Sequence, residues 1–464
     1  MKVQGQACVG HALTGLLGIM PTRSLTALIC PSRRANSFTC CNKTAIAHPT
    51  KRDPIQGSSF LCMSPSVALP PASNASQPAS LRERHADLRT WFFEQALPFW
   101  WAHGTDHRQG GYFEKVTQAG GIIDEPRRTR VTARQIYVFS VAHTMGWSGP
   151  SLQAMRHGLD FLLERQRKPD GTYASAVTVQ GVIVDDRFDL YEQAFALFAM
   201  AHAYKADPGR TELPQLARQL FSRLREGWSH PVLGFEESRP SSLPLRSNPH
   251  MHLLEALIAW DRLGPLEQRP EWRQAGSELV ELCLHHLIDR QTGAVKEYFN
   301  AQWAPMPDGT GRIVEPGHQF EWAWLLLEWM RLTSGSPALA ETARGLMDFA
   351  ERHGVNQHGA ALNELYDDGT PKDLNAKLWP QTERIKAWTT LAACTDVSMR
   401  QPHIARAAQA CESLQRYIHG ARPGLWRESM DSSGRLNDQD CRASSLYHIV
   451  CAIDCLHGHR AMMA

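Results

Sequence analysis

Three histidines, His252, His318 and His448, and the carboxylates set near them are the side chains of this sequence best suited to moving protons. His252 lies three residues before Glu255, and His318 three before Glu321. On a helix that spacing brings both side chains to one face. A carboxylate beside an imidazole orients it and raises its pKa, which suits a general base near neutral pH. The first pair ends the stretch Arg246-Ser-Asn-Pro-His-Met-His-Leu-Leu-Glu255. There Asn248 and Pro249 predict a helix start: Asn can cap free N–H groups, and Pro fits a first turn that needs no donor. A capped helix with a buried, hydrogen-bonded histidine would read the same way, so the elements around it must decide.

Those elements repeat. Glycine-centred turns recur at Gly111, Gly171, Gly234, Gly293, Gly359 and Gly424, spaced by 60, 63, 59, 66 and 65 residues. Several are followed by an aromatic residue and a Glu, as in Gln109-Gly-Gly-Tyr-Phe-Glu114 and Pro423-Gly-Leu-Trp-Arg-Glu428. Between the turns run stretches with apolar residues at helical spacing, among them Arg134 to His143, Tyr191 to Tyr204, His252 to Leu263 and Glu383 to Cys394. A period of this size holds two helices and a connection, and self-similarity at fixed period marks a repeat architecture. Six helix pairs predict an all-α, closed (α/α)6 barrel with short hairpin-like turns. Closure gives each repeat two neighbours and needs no capping units, unlike an open solenoid. The longer connections then gather at one end, where loops on a rigid scaffold carry chemistry.

Each repeat offers polar groups where a helix follows such a connection: Arg134-Gln135, Tyr191-Glu-Gln193, Asn248 to Glu255, His318 to Glu321, Trp379-Pro-Gln381-Thr-Glu383 and Tyr447-His448. Imidazole, amide and carboxylate groups beside Trp and Tyr suit a sugar, the aromatic against the ring face and the polar groups on the hydroxyls. Trp322, Trp324 and Trp329 fall on mixed helix faces and read mostly as core.

Composition narrows the alternatives. The 464 residues, 43% hydrophobic and with 14 Trp, can build a large core. A formal net charge of +2 gives no footprint for nucleic acid or a membrane surface. The chain has no run of 18 apolar residues, and no Gly-x4-Gly-Lys-Ser/Thr loop for a nucleotide. Of 11 Cys, five precede residue 63, and the others form no CxxC framework, so a reduced, cytoplasmic setting is the simplest account. Cys451 and Cys455, one helical turn apart, are expected to pack rather than bridge. Residues 1–80 carry no Asp or Glu before Asp53 and read as a transit-type leader, a disordered segment, or a mis-assigned start ahead of Met63. The barrel is expected over residues 81–464.

Taken together, Arg134-Gln135, Tyr191-Glu-Gln-Ala-Phe195, Asn248-Pro-His-Met-His-Leu-Leu-Glu255, Pro316-Gly-His-Gln-Phe-Glu-Trp-Ala-Trp324, Trp379-Pro-Gln-Thr-Glu383 and Leu446-Tyr-His448 resemble the N-acylglucosamine 2-epimerase family. Within it they look closest to the D-mannose isomerase and aldose–ketose isomerase branch. The resemblance implies isomerisation of a monosaccharide, D-mannose to D-fructose, through a cis-enediol(ate), with no metal and no other cofactor. It makes His252 and His448 the catalytic pair, one moving protons between O1 and O2, the other between C2 and C1. It implies that Arg134 stabilises the enediolate oxygen and that Glu255 positions His252 or binds hydroxyls. Glu321, Trp379 and Gln381 would hold the substrate, joined by Tyr191, Gln193, Asn248, His318 and Glu383. Monomer and homodimer both remain open.

Two departures bear on the substrate. Gln193 stands where some isomerases of this family carry a His. The stretch Ala443-Ser-Ser-Leu-Tyr447 lacks the Trp that cellobiose-acting members have before the last His. A phosphorylated sugar would require a cationic cluster, and none is evident along the chain. Four other readings compete: a 2-epimerase, an (α/α)6 glycoside hydrolase using Glu255 and Glu321, a metal site on His250 and His252, and a non-enzymatic scaffold. The metal reading is weak because residues two apart on a helix face different ways.

Overall fold

The computed structural model describes residues 79–463. All but the end of the segment expected as a leader, residues 1–80, therefore lies outside the described residues.

Twelve helices among the described residues alternate between an outer and an inner ring. The outer helices are residues 81–103, residues 151–166, Leu213–Trp228, residues 269–287, Ala338–Gly354 and Gln401–His419. They are amphipathic; Leu213–Trp228 buries Leu213, Ala217, Leu220, Phe221 and Leu224 along one stripe. The inner helices are Thr129–Thr144, Leu190–Ala206, Ser247–Leu263, Pro316–Thr333, Trp379–Cys394 and Ala443–Gly458. They are buried almost all round, as ring-forming helices must be. In Leu190–Ala206 the small residues Ala194, Ala196, Ala199, Ala201 and Ala203 let neighbours approach closely. The sixth inner helix packs against the first, and the first outer helix against the last, so the ring closes as an (α/α)6 barrel. The seam is tied by Gln135 Nε2 donating to the Ala443 carbonyl at 2.8 Å and by Trp100 Nε1 donating to Gly424 O at 3.2 Å.

Connections from inner to outer helices are short. Those from outer to inner are long, and the glycine turns open them. All six turn glycines have positive φ, between 73° and 88°. At Gly424 a Cβ would also lie 2.7 Å from the Gln95 carbonyl oxygen, so glycine is required there twice over. Past five of the six turns, the exception being that at Gly234, a short strand pairs with the strand that leads into a neighbouring inner helix. Lys115–Val116 pairs with Cys441–Arg442 across the seam, Arg127–Arg128 with Ala176–Val177, Leu245–Arg246 with Tyr298–Phe299, and Ala376–Lys377 with Ser429–Met430. A rim of small antiparallel sheets thus joins repeats at the loop end.

The glutamates after the turns have a structural task. Glu114 accepts from the Arg128 backbone N–H at 2.7 Å and Glu428 from that of Arg442 at 2.7 Å, each just before an inner helix. Glu237 does the same for Arg246, and Asn363 for Lys377. In the third and fifth repeats the residues that do this are therefore Glu237 and Asn363.

Candidate active site

A cavity of about 770 Å³ opens at the long-loop end of the inner ring. His252, His318 and His448, from the third, fourth and sixth inner helices, line it together with Arg134, Tyr191, Asn248, Glu321 and Trp379. These eight are the sequence-predicted residues that the fold brings together. Trp379 stands between two of the histidines, its ring centroid 5.0 Å from that of His318 and 5.8 Å from that of His448. Tyr191 meets His252 edge to face at 5.0 Å. Arg134 donates to the Tyr191 hydroxyl at 2.7 Å and lies over the rings of Phe195 and Tyr447, which fix its long side chain.

The remaining four predicted residues lie outside the cavity wall. Gln193 and Gln381 are fully buried, and each uses both ends of its amide on a glycine turn. Gln193 accepts from Tyr173 N at 2.8 Å and donates to Tyr173 O at 2.9 Å; Gln381 treats Ala361 identically. Gln319 does this for Val295, and His250 Nε2 accepts from Phe235 N at 3.1 Å. The second N–H of each amide is also committed, to Asp189 O in Gln193 and to Lys377 O in Gln381, and neither side chain reaches the cavity. The expected sugar contacts of Gln193 and Gln381 are thereby replaced by a role in holding turns. His250, with Nδ1 on the Arg246 carbonyl as well, is a satisfied core histidine rather than a metal ligand. Asn248 is no cap either. The helix starts at Ser247 with Arg246 in the capping position, and the Asn248 amide meets His318 Nε2 at 3.1 Å.

Glu255 and Glu383 stand behind the histidines. His252 Nδ1 lies 3.1 Å from Glu255, which also accepts from the Tyr447 hydroxyl at 2.5 Å. His448 Nδ1 lies 3.0 Å from Glu383, itself 2.5 Å from Lys386 Nζ. A carboxylate on Nδ1 keeps the proton there and leaves the Nε2 lone pair as the base. Nε2 of both rings has no protein partner among the described residues. The hydrolase reading needed Glu255 and Glu321 flanking a bond; Glu255, committed to His252 and Tyr447, is not in that position.

Electrostatics divides the three imidazoles. Burial holds His252 and His448 down at about 4, against the opposing pull of Glu255 and Glu383. Burial also acts against charge on His318, but Glu297 at 2.9 Å and Glu315 at 3.9 Å outweigh it and hold this ring up at about 10. At neutral pH the cavity therefore presents two neutral imidazoles and one imidazolium. An imidazolium Nε2–H needs an acceptor, and Asn248 Oδ1 is buried without a donor. Turning the amide over supplies it, which is the assignment the charge requires. Glu321, 1% exposed, has neither oxygen hydrogen-bonded, and burial next to Glu383 raises it well above the usual carboxylate range.

Glu297, Glu315 and Lys386 were not singled out from the sequence. Glu297 was visible only as the end of a turn motif, whereas Glu383-x-x-Lys386 has helical ion-pair spacing and could have been noticed. Among the described residues, two groups bring potential metal ligands together, His252 with Glu255 and Glu321, and Glu297 with Glu315 and His318. A protonated His318 offers no lone pair, and Lys386 Nζ, 3.9 Å from Glu321, already supplies positive charge beside the first group.

This charge pattern predicts an unusual pH profile for kcat/KM. A base must be neutral, so activity is present above about 4 and falls only as pH drops through that value. If the His318 cation contributes, activity declines as pH rises through about 10. An acid limb centred near 6.5, the value of an unperturbed histidine, would show that these imidazoles are not held as described.

A closed ring of six helix pairs with its polar cavity among the long loops belongs to the (α/α)6-barrel enzymes. The profile of the N-acylglucosamine 2-epimerase (GlcNAc 2-epimerase) family matches residues 111–452, and the chain belongs to that family. It is similar to the mannose-6-phosphate isomerase of Rhizobium meliloti, 39% identical over 376 residues covering 80% of this chain and 97% of that protein. The D-mannose isomerase of Thermobifida fusca is 27% identical over 63% of this chain and 75% of its own. The fold matches that of cellobiose 2-epimerase from Bacillus thermoamylovorans with a TM-score of 0.72 at 20% identity, over 81% of this chain and 99% of that one. The protein is an enzyme of the isomerase and epimerase kind.

Proposed function

We propose that the protein interconverts an aldose and its 2-ketose, D-mannose and D-fructose or their phosphorylated forms, by proton transfer through a cis-enediol(ate). The observation that carries this reading is the pair of neutral imidazoles, His252 and His448, each tied to a carboxylate through Nδ1 and lining one cavity. In the open-chain aldose, one imidazole removes the C2 proton as the carbonyl electrons move onto O1. The enediolate oxygen is stabilised by the Arg134 guanidinium. The other imidazole moves the proton from O2 to O1, and delivery of a proton to C1 completes the ketose. Glu255 and Glu383 orient the bases. Tyr191, Asn248, His318 and Glu321 take the hydroxyls, and Trp379 offers a face to the sugar. No step requires a metal or another cofactor.

The names of the relatives support the mannose pair, and the family's name keeps a second outcome in view. A 2-epimerase shares every step to the enediolate but returns the proton to the other face of C2. Incubation with D-mannose and with D-mannose 6-phosphate, followed by chromatography of the products, separates the two. Ketose is the expected product, the C2 epimer would favour epimerisation, and absence of both would defeat the reading. We place the enzyme in a reducing compartment such as the cytoplasm, since all six cysteines among the described residues are unbridged. It acts there as a monomer or homodimer on a small sugar. No helix among the described residues is long and apolar enough to cross a membrane.

A further inference from the structure

Beside the main cavity lies a smaller hollow of about 230 Å³, formed where the first and third inner helices begin. Arg128, Arg130 and Arg246 line it, and Arg134 and Asn248 belong to its wall and to that of the main cavity. Four guanidinium groups, three from residues 128–134 and the fourth Arg246, thus face a space that shares its wall with the site of chemistry.

Three of them are anchored on one edge. Arg128 Nε donates to Glu114 at 2.7 Å, Arg130 Nε lies 3.2 Å from Glu192, and Arg246 Nε donates to Glu237 at 2.6 Å. Asp189 stands 4.0 Å from Arg130 and 3.8 Å from Arg246, beyond hydrogen-bond reach of either. Anchoring at Nε fixes the plane of a guanidinium; Arg128 Nη2 also lies 2.6 Å from Glu114, so Arg128 offers Nη1 to an anion, while among the described residues Arg130 and Arg246 keep both terminal nitrogens outside hydrogen bonds. Burial also raises the anchoring carboxylates, Glu192 to about 8 and Glu237 to about 7, with Glu114 raised as well, which weakens their hold on the positive charge at neutral pH. Lys377, Arg435 and Arg442 also reach the main cavity, but on other loops, and Arg435 is 85% exposed and paired with Asp431 at 3.5 Å.

We propose that this hollow is a phosphate subsite: Arg128, Arg130 and Arg246 bind the phosphoryl group of a phosphorylated sugar whose C1–C2 end lies beside His252 and His448. The assignment of substrate class rests on the isomerase reading; the affinity for phosphate does not. Fixed guanidinium forks suit a tetrahedral dianion, and a neutral sugar hydroxyl would leave several of their donors unused.

Two measurements on the purified full-length chain test it. The first is kcat/KM for D-mannose and D-mannose 6-phosphate in the wild type and in Arg246→Gln, Arg128→Gln and Arg435→Gln, with thermal melts to check folding. The wild type should prefer the phosphorylated sugar. Arg246→Gln should lower that preference by about 10- to 100-fold, the loss of one hydrogen-bonded charge. Arg128→Gln should act in the same direction, serving as the test if Arg246→Gln does not fold, and Arg435→Gln should not. Equal use of both sugars by the wild type, or a loss confined to Arg435→Gln, would overturn the proposal. The second is calorimetric titration with inorganic phosphate, which does not depend on catalysis. If neither sugar is converted, the isomerase reading fails, and the titration then decides the subsite. Binding that weakens in Arg246→Gln supports it, and no binding to the wild type overturns it.

Discussion

Replacing His448 or His252 by Gln lowers kcat for aldose–ketose conversion by about 10²- to 10⁴-fold, the usual contribution of a positioned acid–base group. Gln is the informative substitution because it keeps much of the polar bulk but cannot accept a proton near neutral pH. Truncation to Ala would empty the space each buried ring fills beside its carboxylate, so Ala would mix a folding defect with the catalytic one. Glu255 retains the Tyr447 hydroxyl at 2.5 Å and Glu383 retains Lys386 at 2.5 Å, so both carboxylates keep a partner in the Gln variants. Exchange of a labelled C2 proton with solvent separates the two roles. The variant that loses exchange and turnover together has lost the carbon base. The variant that still exchanges C2 but forms no ketose has lost the oxygen shuttle. Wild-type turnover in both variants would remove the histidines from the mechanism.

The second large effect concerns folding. Lys386 is fully buried, 2.5 Å from Glu383 and 3.9 Å from Glu321, and its ammonium lies 3.7 Å from the centre of the Trp324 ring. Breaking a buried ion pair by removing one partner costs about 3–5 kcal/mol, and that loss is expected for Lys386→Met in urea unfolding at pH 7. The sign of its pH dependence follows. Burial opposes charge on Glu383, but Lys386 and His448 bring it below the usual carboxylate range. Without the lysine its folded pKa rises above the unfolded value. The folded variant then gains stability from taking up a proton as pH falls, and loses it as pH rises. The deficit relative to wild type should therefore be smaller at pH 5 than at pH 7, and Lys386→Met/Glu383→Gln should recover part of it. A single variant as stable as wild type at pH 7 would show that the carboxylates do not depend on this charge.

The six-fold repeat was legible because turn glycines with positive φ cannot be exchanged freely, so they survive at regular spacing. The starts of the inner helices were less legible. Periodicity predicts helices from Arg134 and Glu383, whereas they begin at Thr129 and Trp379. Their first turns carry groups that face the cavity or clamp a turn, so those positions lack the apolar spacing that reveals a helix. For the same reason Gln193 and Gln381 looked like His318 from sequence: each is a polar residue near a helix start, and one helical position decides whether it meets the cavity or the turn behind it. Long-range partnerships were hidden altogether. Nothing local links His448 to Glu383, His318 to Glu297, or Arg246 to Arg128; those pairings are products of ring closure and of the rim of short sheets.

The central claim is that the reaction passes through an enediol(ate) formed by proton transfer. Mass and NMR analysis of both sugars after prolonged incubation with aldose in heavy water tests it most directly. The account predicts deuterium at C1 of the ketose and at C2 of the recovered aldose, with both signals lost in the Gln variant of the carbon base. Ketose formed without deuterium in either sugar would mean that hydrogen moves directly between the two carbons, and would contradict it.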